Sequence, residues 1–450
     1  MIRTIKWNNH NVLGNLELNF TKKDGSIYKT IILAGENGTG KTTILETIAT
    51  FLNGGSIEAF EHIQYMAKGV PYTIKPNTAP QYGFHSRKNE MGGPARLVQS
   101  NRHNNPQSID SDPADLRHYG FAYSKARSGF NTRKVQSTTT QQLDSNKYEN
   151  DSNEDFTSIK QLIIDINTQD NSEWMRITKS GIGTPYSTFQ QTSKQYRFEK
   201  AFNDFFEEVK FSQVDNTNTE EIKILFKKHG KEISIDSLST GEKQIVFRGA
   251  HLLKNKNSLS GGIVLIDEPE LSMHPKWQQK ILPYYRSLFN QNGLQDAQMI
   301  IATHSEYVLR SALEDSTNVL IIVLSNVNGT ICSKKIDTLR ILPSITAAEI
   351  NYLAFGIMSI DYHIELYGYL QNKTGRNTVK GCDDYIRSQR EFNSSLHTKS
   401  DSFSPKSGKA IHYHTLPTYI RNAIDHPNST RKYTPKELKD SIELLIKLCK

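Results

Sequence analysis

Four short apolar runs divide the chain, and each is rich in β-branched residues. They lie at residues 30–34, 263–266, 299–303 and 318–324. Runs of this length and composition predict buried strands of a parallel sheet. After the first run, apolar residues recur at helical spacing, and Asn53-Gly54-Gly55 then ends the predicted helix. Strands that alternate with helices in this way indicate an α/β fold.

The first predicted strand and helix enclose the glycine-rich sequence GENGTGKTT, residues 35–43. It fits the phosphate-binding pattern GxxxxGK[ST], and it stands between strand and helix as that pattern requires. Backbone N–H groups can close around a phosphate only where side chains are absent, and the helix N-terminus adds unpaired donors. We predict a site for ATP in which Lys41 reaches the phosphates and Thr42 holds Mg²⁺. The predicted ATP-binding residues of this loop are Gly35, Asn37, Gly38, Gly40, Lys41, Thr42 and Thr43.

Two further strands end in residues suited to phosphate chemistry. Asp267 and Glu268 follow the run at 263–266, and His304 follows the run at 299–303. Ligands of open α/β sheets bind at the carboxyl ends of the strands. We predict that Asp267 binds Mg²⁺ and that Glu268 orients or deprotonates the attacking water. His304 is a candidate γ-phosphate sensor, because imidazole titrates near neutrality and can donate to a phosphate oxygen.

The sequence contains two similar short strings, SLSTGEKQ at 237–244 and SLSGG at 258–262. The second runs directly into the strand at 263–266, so Gly261 and Gly262 are interpreted as a turn. The first precedes a helix-like run, residues 242–254, so Ser239 and Gly241 are expected at a helix N-terminus, which is an anion site. The first string is therefore the candidate functional copy.

The order of the phosphate loop, LSTGE, DEPE and THS resembles that of the SMC/Rad50-like branch of ABC ATPases. The resemblance implies an ABC-type P-loop ATPase head that binds two Mg-ATP in a head-to-tail homodimer or a higher homo-oligomer. It implies that Ser239, Gly241 and Glu242 face the nucleotide of the partner subunit and that His304 is the switch histidine. Residues 270–272 would lie in the segment that touches the opposite subunit. For the glutamine of the family's Q-loop, Gln64 and Gln81 are both candidates.

The family's coiled coil is missing from the gap between Lys41 and Ser239, where no sustained heptad pattern appears. We predict an ATPase head from residues 1–55 and 230–340, with a helical insertion over 56–229. Within the insertion, residues 98–158 are rich in Asn, Gln, Ser and Thr and are expected to be exposed and partly disordered. Residues 341–450 are expected to form a helical C-terminal extension.

The C-terminal extension, together with the ATPase motifs, resembles the ATPase subunits of the Septu (PtuA) and retron anti-phage defence systems. The stretches concerned are residues 355–370 and 416–429. The resemblance implies a partner, which would be an HNH nuclease subunit or a retron complex of reverse transcriptase, RNA and DNA. An OLD-type nuclease would need a Toprim domain, whose strand-end glutamate and DxD pair have no suitable context after the run at 318–324. A DNA-binding repair ATPase is the alternative from another class.

A second motif, RNAIDH at residues 421–426, has two interpretations. The spacing of Arg421 and His426 resembles the Rx4H motif of HEPN ribonucleases, which would make the chain its own effector. Alternatively, Arg421 and Asp425 form an i, i+4 pair on a helix that docks a partner. Thr434, Pro435 and Glu437 predict the capped start of a following helix.

Composition restricts the location of the protein more than its activity. No apolar run approaches the roughly 18 residues that span a bilayer, and the N-terminal sequence lacks the pattern of a secretory signal. Cys332, Cys382 and Cys449 are widely spaced, which argues against disulfides and a zinc site. We therefore expect a cytoplasmic protein without a membrane partner. The net charge of +8 is compatible with nucleic-acid contact but does not predict it.

Overall fold

The protein is described from a computed structural model, which divides into two compact units, Met1–Ser333 and Lys334–Lys450. Each unit has its own set of strands and helices. The structure describes residues 1–77, 84–100, 106–150, 155–181, 185–217, 220–291, 294–336, 339–404, 410–426 and 431–450.

The first unit contains strands β1 to β18 and helices α1 to α8 among its described residues. The strands are β1 (Ile2–Trp7), β2 (Glu17–Asn19), β3 (Thr30–Gly35), β4 (Phe60–Ala67), β5 (Val70–Pro76), β6 (Phe84–Asn89), β7 (Arg96–Gln99), β8 (Phe121–Ser124), β9 (Tyr148–Asn150), β10 (Val209–Asp215), β11 (Lys223–Lys228), β12 (Lys231–Ser234), β13 (Ile263–Asp267), β14 (Asn290–Gln291), β15 (Leu294–Gln295), β16 (Gln298–Thr303), β17 (Val319–Val327) and β18 (Thr330–Lys335). The helices are α1 (Lys41–Leu52), α2 (Pro106–Asp110), α3 (Thr157–Lys179), α4 (Tyr186–Thr192), α5 (Tyr196–Phe205), α6 (Thr240–Leu253), α7 (Pro275–Leu288) and α8 (Glu306–Glu314).

A seven-stranded sheet forms the centre of this unit, in the order β18-β17-β3-β16-β13-β8-β9. The pairs from β17 to β9 are parallel. Strands β3, β13 and β16 are buried along their whole length, which is why their sequences are continuously apolar. All four apolar runs of the sequence are strands of this sheet, as predicted. Because β3, β16 and β13 are parallel neighbours, their carboxyl ends meet at one edge.

A second sheet is antiparallel and has the order β2-β1-β4-β5-β6-β7. Side chains from both sheets and from α1 share one hydrophobic cluster, which includes Trp7, Ile31, Phe51 and Phe60. Fully burying one such side chain stabilises a fold by roughly 1.5–3 kcal/mol. The cluster therefore holds α1, the helix that follows the phosphate loop, between the two sheets.

The structure corrects the predicted extent of the helical insertion. Helices α3, α4 and α5 do lie within residues 56–229, but much of that range folds as strands β4 to β12. The buried residues of β4 are Phe60, Ile63, Tyr65 and Ala67, and the last three lie at alternate positions. A period of two belongs to a strand and not to a helix. Strands β4 to β7 extend the antiparallel sheet, and β10, β11 and β12 form a small sheet of their own.

The polar segment 98–158 is also corrected in part. Its residues 101–105 and 151–154 lie outside the described residues, but β8 within it is buried and pairs with β13 in the central sheet. Phe121, Ala122 and Tyr123 are the apolar residues that allow this burial. Because so short a run is surrounded by polar residues, the composition of the segment hides the strand.

The second unit is mainly helical, as predicted for residues 341–450. Its described elements are α9 (Ala347–Phe355), α10 (Ile360–Thr374), α11 (Val379–Ser388), α12 (Ser394–His397), β19 (Thr398–Phe403), β20 (Ile411–Thr415), α13 (Leu416–Asp425) and α14 (Pro435–Cys449). A separate hydrophobic cluster joins α10, α13 and α14 through Leu366, Ile420 and Ile442. The predicted capping box is present, because Thr434 and Glu437 bond to each other's backbone N–H groups at the start of α14.

Candidate functional site

The phosphate loop connects β3 to α1, as the sequence pattern predicts. Gly40 is the N-cap of α1 and has φ +81°, a left-handed conformation that favours glycine. A Cβ atom at Gly40 would lie 2.5 Å from Cδ2 of Leu13. The helix N-terminus is thus presented without a side chain, as a phosphate-binding terminus needs.

Lys41 lies inside the loop and is 4% exposed. Its ammonium Nζ donates to the carbonyl oxygens of Gly35 (2.8 Å) and Glu36 (2.9 Å). Burial lowers the pKa of Lys41 to about 8, although the carboxylates of Glu268 and Asp267 act in the opposite direction. An anionic phosphate would stabilise the charged lysine at this position.

Thr42 and Asp267 meet at the edge of the central sheet. The Thr42 hydroxyl donates to Oδ2 of Asp267 over 2.9 Å, while Oδ1 of Asp267 is buried and has no hydrogen-bond partner among the described residues. Burial raises the pKa of Asp267 to about 6, and the neighbouring charge of Glu268 adds to the effect. A bound cation would reverse this penalty, and hydroxyl and carboxylate oxygens are ligands that Mg²⁺ prefers. The pair therefore fits the ion predicted for it.

Glu268 and His304 face each other across the ends of β13 and β16. Oε1 of Glu268 lies 3.5 Å from Nε2 of His304, and both side chains are partly exposed. Burial, and then the nearby charge of Lys41, lowers the pKa of His304. Glu268 has φ +44°, which is uncommon for a residue other than glycine.

Glu270 has a role that the sequence does not reveal. It is buried, and its Oε1 accepts hydrogen bonds from the Thr303 hydroxyl (2.8 Å) and from the His304 backbone N–H (2.7 Å). Burial raises the pKa of Glu270. The resemblance implies that residues 270–272 touch another subunit; within this chain, the side chain of Glu270 holds the backbone of His304 just after the end of β16. In the same segment, Ser272 is the exposed residue.

The string at 237–244 forms a helix N-terminus, as predicted. Ser239 caps α6, and a capping box links it to Glu242, whose Oε2 accepts from the Ser239 N–H over 2.8 Å. The other oxygen of Glu242 accepts from Lys228 over 2.8 Å, so both oxygens have partners within the chain. A Cβ atom at Gly241 would lie 2.9 Å from the Ser272 carbonyl oxygen, so this close approach requires glycine. Ser239 and Thr240 are exposed to solvent.

The second string is a turn, as predicted. The Gly262 N–H donates to the Leu259 carbonyl over 2.8 Å, and β13 begins at the next residue. Gly261 has φ +75°. This copy therefore presents no helix N-terminus.

Of the two candidates for the Q-loop glutamine, the structure describes only Gln64. Gln64 lies on β4 in the antiparallel sheet, and Gln81 lies outside the described residues. The segment that follows β8, the neighbour of β13, is Lys125-Ala-Arg-Ser-Gly129, which contains no glutamine.

In the second unit, Arg421 forms an ion pair with Asp425 at 2.7 Å, on one face of α13. Asn422 is buried and donates to Asp401 on β19 over 3.1 Å. Helix α13 ends at Asp425, and His426 is its C-cap. Among the contacts of the described residues, none joins Arg421 to His426, so the observed geometry is that of the helix pair.

Within the described residues, no group of three or more His, Cys, Asp or Glu side chains is arranged to hold a metal ion. Likewise, none of the helices in the described part is both long and apolar enough to cross a membrane.

The glycine loop, the enclosed lysine and the threonine–aspartate pair on a parallel sheet define a P-loop ATPase. The chain belongs to the family described as "AAA domain, putative AbiEii toxin, Type IV TA system", whose model matches residues 31–310, more than half of the chain. The matched range contains the phosphate loop, Asp267 and His304, all of which lie in the first unit.

Two curated relatives match parts of the chain. The "Retron Vc95 probable ATPase" of Vibrio cholerae is 34% identical over 117 residues, which are 24% of this chain and 22% of that protein. This chain thus spans less than a quarter of the length of that relative. The "Septu protein PtuA" of Bacillus thuringiensis is 23% identical over 328 residues, which are 69% of this chain and 74% of the relative. Among solved structures, the SMC head domain from Thermotoga maritima matches with 13% identity and a TM-score of 0.41, covering 74% of this chain and 98% of that one.

Proposed function

We propose that this chain is the ATPase subunit of a bacterial anti-phage defence system and that its ATP cycle controls a partner nuclease. The observation that carries the proposal is the combination of the P-loop site with the similarity to PtuA, which extends over 69% of the chain. A match confined to the phosphate loop would support only the ATPase.

Within the site, we assign the phosphates of ATP to the loop around Lys41 and Mg²⁺ to Thr42 and Asp267. Mg²⁺ would supply charge neutralisation of the phosphates. Glu268 would orient or deprotonate the attacking water, and His304, held beside it, would respond to the γ-phosphate. The proximity of Glu268 to His304 supports this pairing of roles.

We further propose that two copies bind head to tail and enclose the nucleotides. The N-terminus of α6 supports this, because it is capped and exposed at Ser239 and Thr240. The phosphate loop is likewise exposed at Glu36, Asn37 and Gly38. A helix N-terminus from a second copy would add donors to the phosphates that the loop alone leaves uncovered.

The C-terminal unit is the candidate docking element for the partner, which by resemblance is an HNH nuclease or a retron complex of reverse transcriptase, RNA and DNA. It lies beyond the family match at 31–310 and has its own core, so the ATPase site does not account for it. Arg421, the arginine of the ribonuclease-like motif, is held in an ion pair with Asp425, which also agrees with a docking role.

The test is phage infection of cells that carry this gene together with its genomic neighbours. Wild type should reduce plaque formation, and both Lys41→Ala and deletion of the neighbouring nuclease gene should abolish protection. Protection that survives loss of every neighbour would contradict partner control. Protection by the Lys41→Ala variant would contradict a role for the ATP cycle.

A further inference from the structure

Helix α6 carries a buried polar stripe, formed by Gln244, Arg248 and His251. Their exposed fractions are 0%, 1% and 7%. Spacings of four and three residues place them on one face of the helix. Burying polar groups in this way costs free energy unless they find hydrogen-bond partners.

The partners of the stripe are backbone carbonyls along and just after β8. Gln244 donates to the carbonyl of Arg127 over 2.6 Å, and Nε2 of His251 lies 3.2 Å from the carbonyl of Tyr123. Arg248 donates to the carbonyl of Lys125. The helix thus binds every second residue of this segment.

A further hydrogen bond of Arg248 reaches the carboxyl end of β13, where Glu268 follows the strand. Its Nη1 donates to the backbone carbonyl of Glu268 over 3.1 Å. The guanidinium presents several donors in a fixed fork, so one side chain can bind both carbonyls at once. Arg248 therefore joins α6, the segment after β8 and the end of β13.

The peptide of Glu268 needs such support. With φ +44° it has a conformation that persists only where the surroundings determine it from several sides. Its N–H donates to the Ala302 carbonyl over 2.9 Å, and its carbonyl also accepts from the Leu271 N–H over 3.3 Å. The bond from Arg248 involves a charged donor, and such bonds are roughly twice as strong as neutral ones.

We propose that Arg248 is a positioning residue for ATP hydrolysis, which holds the Glu268 peptide so that its carboxylate meets the attacking water. The inference rests on the proposed role of Glu268. Since Ser239 caps α6, Arg248 also links the helix with the exposed N-terminus to the residue proposed to act on the water.

The test is steady-state ATP hydrolysis by Arg248→Lys in the full chain. Lysine keeps the charge but cannot reproduce the fork, so the Glu268 peptide should shift. We expect kcat to fall about 10- to 100-fold, as small misplacements of catalytic groups do, with the KM for ATP and the affinity for ATP nearly unchanged. A residue that served only the fold would not separate kcat from KM.

Arg117→Lys is the matched control. Arg117 is 0% exposed, and it donates to the carbonyls of Gln99 and Ser100, each over 2.6 Å, outside the site. Its replacement should lower the melting temperature but leave kcat of the folded protein at the wild-type value. Equal losses of kcat in both arginine variants, or an unchanged kcat in Arg248→Lys, would overturn the inference.

The variant Glu268→Gln, tested alone and together with Arg248→Lys, distinguishes a failure of the positioning role of Arg248 from a failure of the role proposed for Glu268. If Arg248 acts through Glu268, adding Arg248→Lys to Glu268→Gln should lower kcat little further. An additive loss would overturn the positioning role. Full turnover by Glu268→Gln would instead remove Glu268 from its assigned role.

Discussion

The hydroxyl of Thr42 and the carboxylate of Asp267 are joined by a hydrogen bond of 2.9 Å. Thr42 lies in the first turn of the helix after the phosphate loop, and Asp267 ends a strand much later in the chain. The parallel neighbours β3, β16 and β13 bring them together. The two oxygens proposed to hold Mg²⁺ therefore already lie side by side, and we expect binding of the cation to need little rearrangement of the chain.

Lys41→Ala should weaken ATP binding about 10- to 150-fold, because the loop loses its enclosed cation and a charged hydrogen bond is worth about 1.5–3 kcal/mol. Titration with a fluorescent ATP analogue measures the effect. Lys29→Ala is the control, since Lys29 bonds to the Gln295 carbonyl outside the site. Unchanged affinity in Lys41→Ala would exclude this loop as the nucleotide site.

Glu268→Gln should retain ATP binding and lower the hydrolysis rate about 100- to 10,000-fold, because an amide cannot accept the proton of the attacking water. The variant should then accumulate as an ATP-bound dimer, measurable by light scattering after chromatography with Mg-ATP. A variant that turns over ATP at the wild-type rate would show that another group acts on the water.

Ser239→Arg should abolish ATP-dependent dimerisation while ATP still binds the monomer. The arginine would obstruct the exposed N-terminus of α6, where the second copy's phosphates are proposed to bind. Ser260→Arg is the matched control, because Ser260 has the same place in the second string and bonds to Asp296 in a turn. Loss of dimerisation in the control, or its survival in Ser239→Arg, would mean that the wrong copy has been assigned.

His363 should make the C-terminal unit sensitive to acid. It is fully buried, with Nε2 2.9 Å from the Ser441 hydroxyl, and burial lowers its pKa to about 3. In the unfolded chain, histidine has a pKa near 6.5, so the unfolded state binds more protons and stability falls as the pH drops from 6.5 towards 3. At pH 5 the loss is about 2 kcal/mol.

Hydrogen exchange in α10 and α14 at pH 7.5 and pH 5.0 measures this loss of stability. Protection should fall at the lower pH in the wild type and much less in His363→Gln, which has no titrating ring. The exposed His412→Gln should behave like the wild type. An identical pH response in His363→Gln would assign the acid sensitivity to other groups.

The purified chain alone should not cleave RNA, with or without Mg-ATP. Arg421 is paired with Asp425, and His426 lies beyond the end of α13. Incubation with total cellular RNA, with His426→Ala alongside, is the measurement. Cleavage that is lost in His426→Ala would establish the ribonuclease interpretation instead of the docking helix.

The candidate site at the carboxyl ends of β3, β13 and β16 could be predicted from sequence, because each of its parts carries a local signal. The strands that end at Gly35, Asp267 and Thr303 are continuous apolar runs, and each leads into a distinct polar motif. Glycine spacing and helical periodicity likewise identify α1. Where the fold depends on one buried strand per motif, the sequence pattern is sufficient.

Other parts could not be predicted, because their signals arise only from tertiary contacts. Strand β8 is a few apolar residues within a polar segment, and only its pairing with β13 distinguishes it from a loop. Arg248 and Gln244 read as solvent-facing residues of an amphipathic helix, but both are buried against carbonyls of a remote segment. Their hydrogen-bond acceptors are backbone carbonyls, which every residue has, so the sequence of the remote segment gives no sign of these bonds.

The order of strands in the central sheet has a consequence for synthesis of the protein. Strand β3, which precedes the phosphate loop, lies between β16 and β17 in the sheet. Among the described strands of the first unit, only β18 leaves the ribosome after these two neighbours. The loop is translated early but has no neighbours in the sheet until residues 298–327 have emerged. Contacts this distant in sequence form slowly. The nascent chain therefore exposes β3 for most of its translation, and ATP can stabilise it only once the first unit is nearly complete.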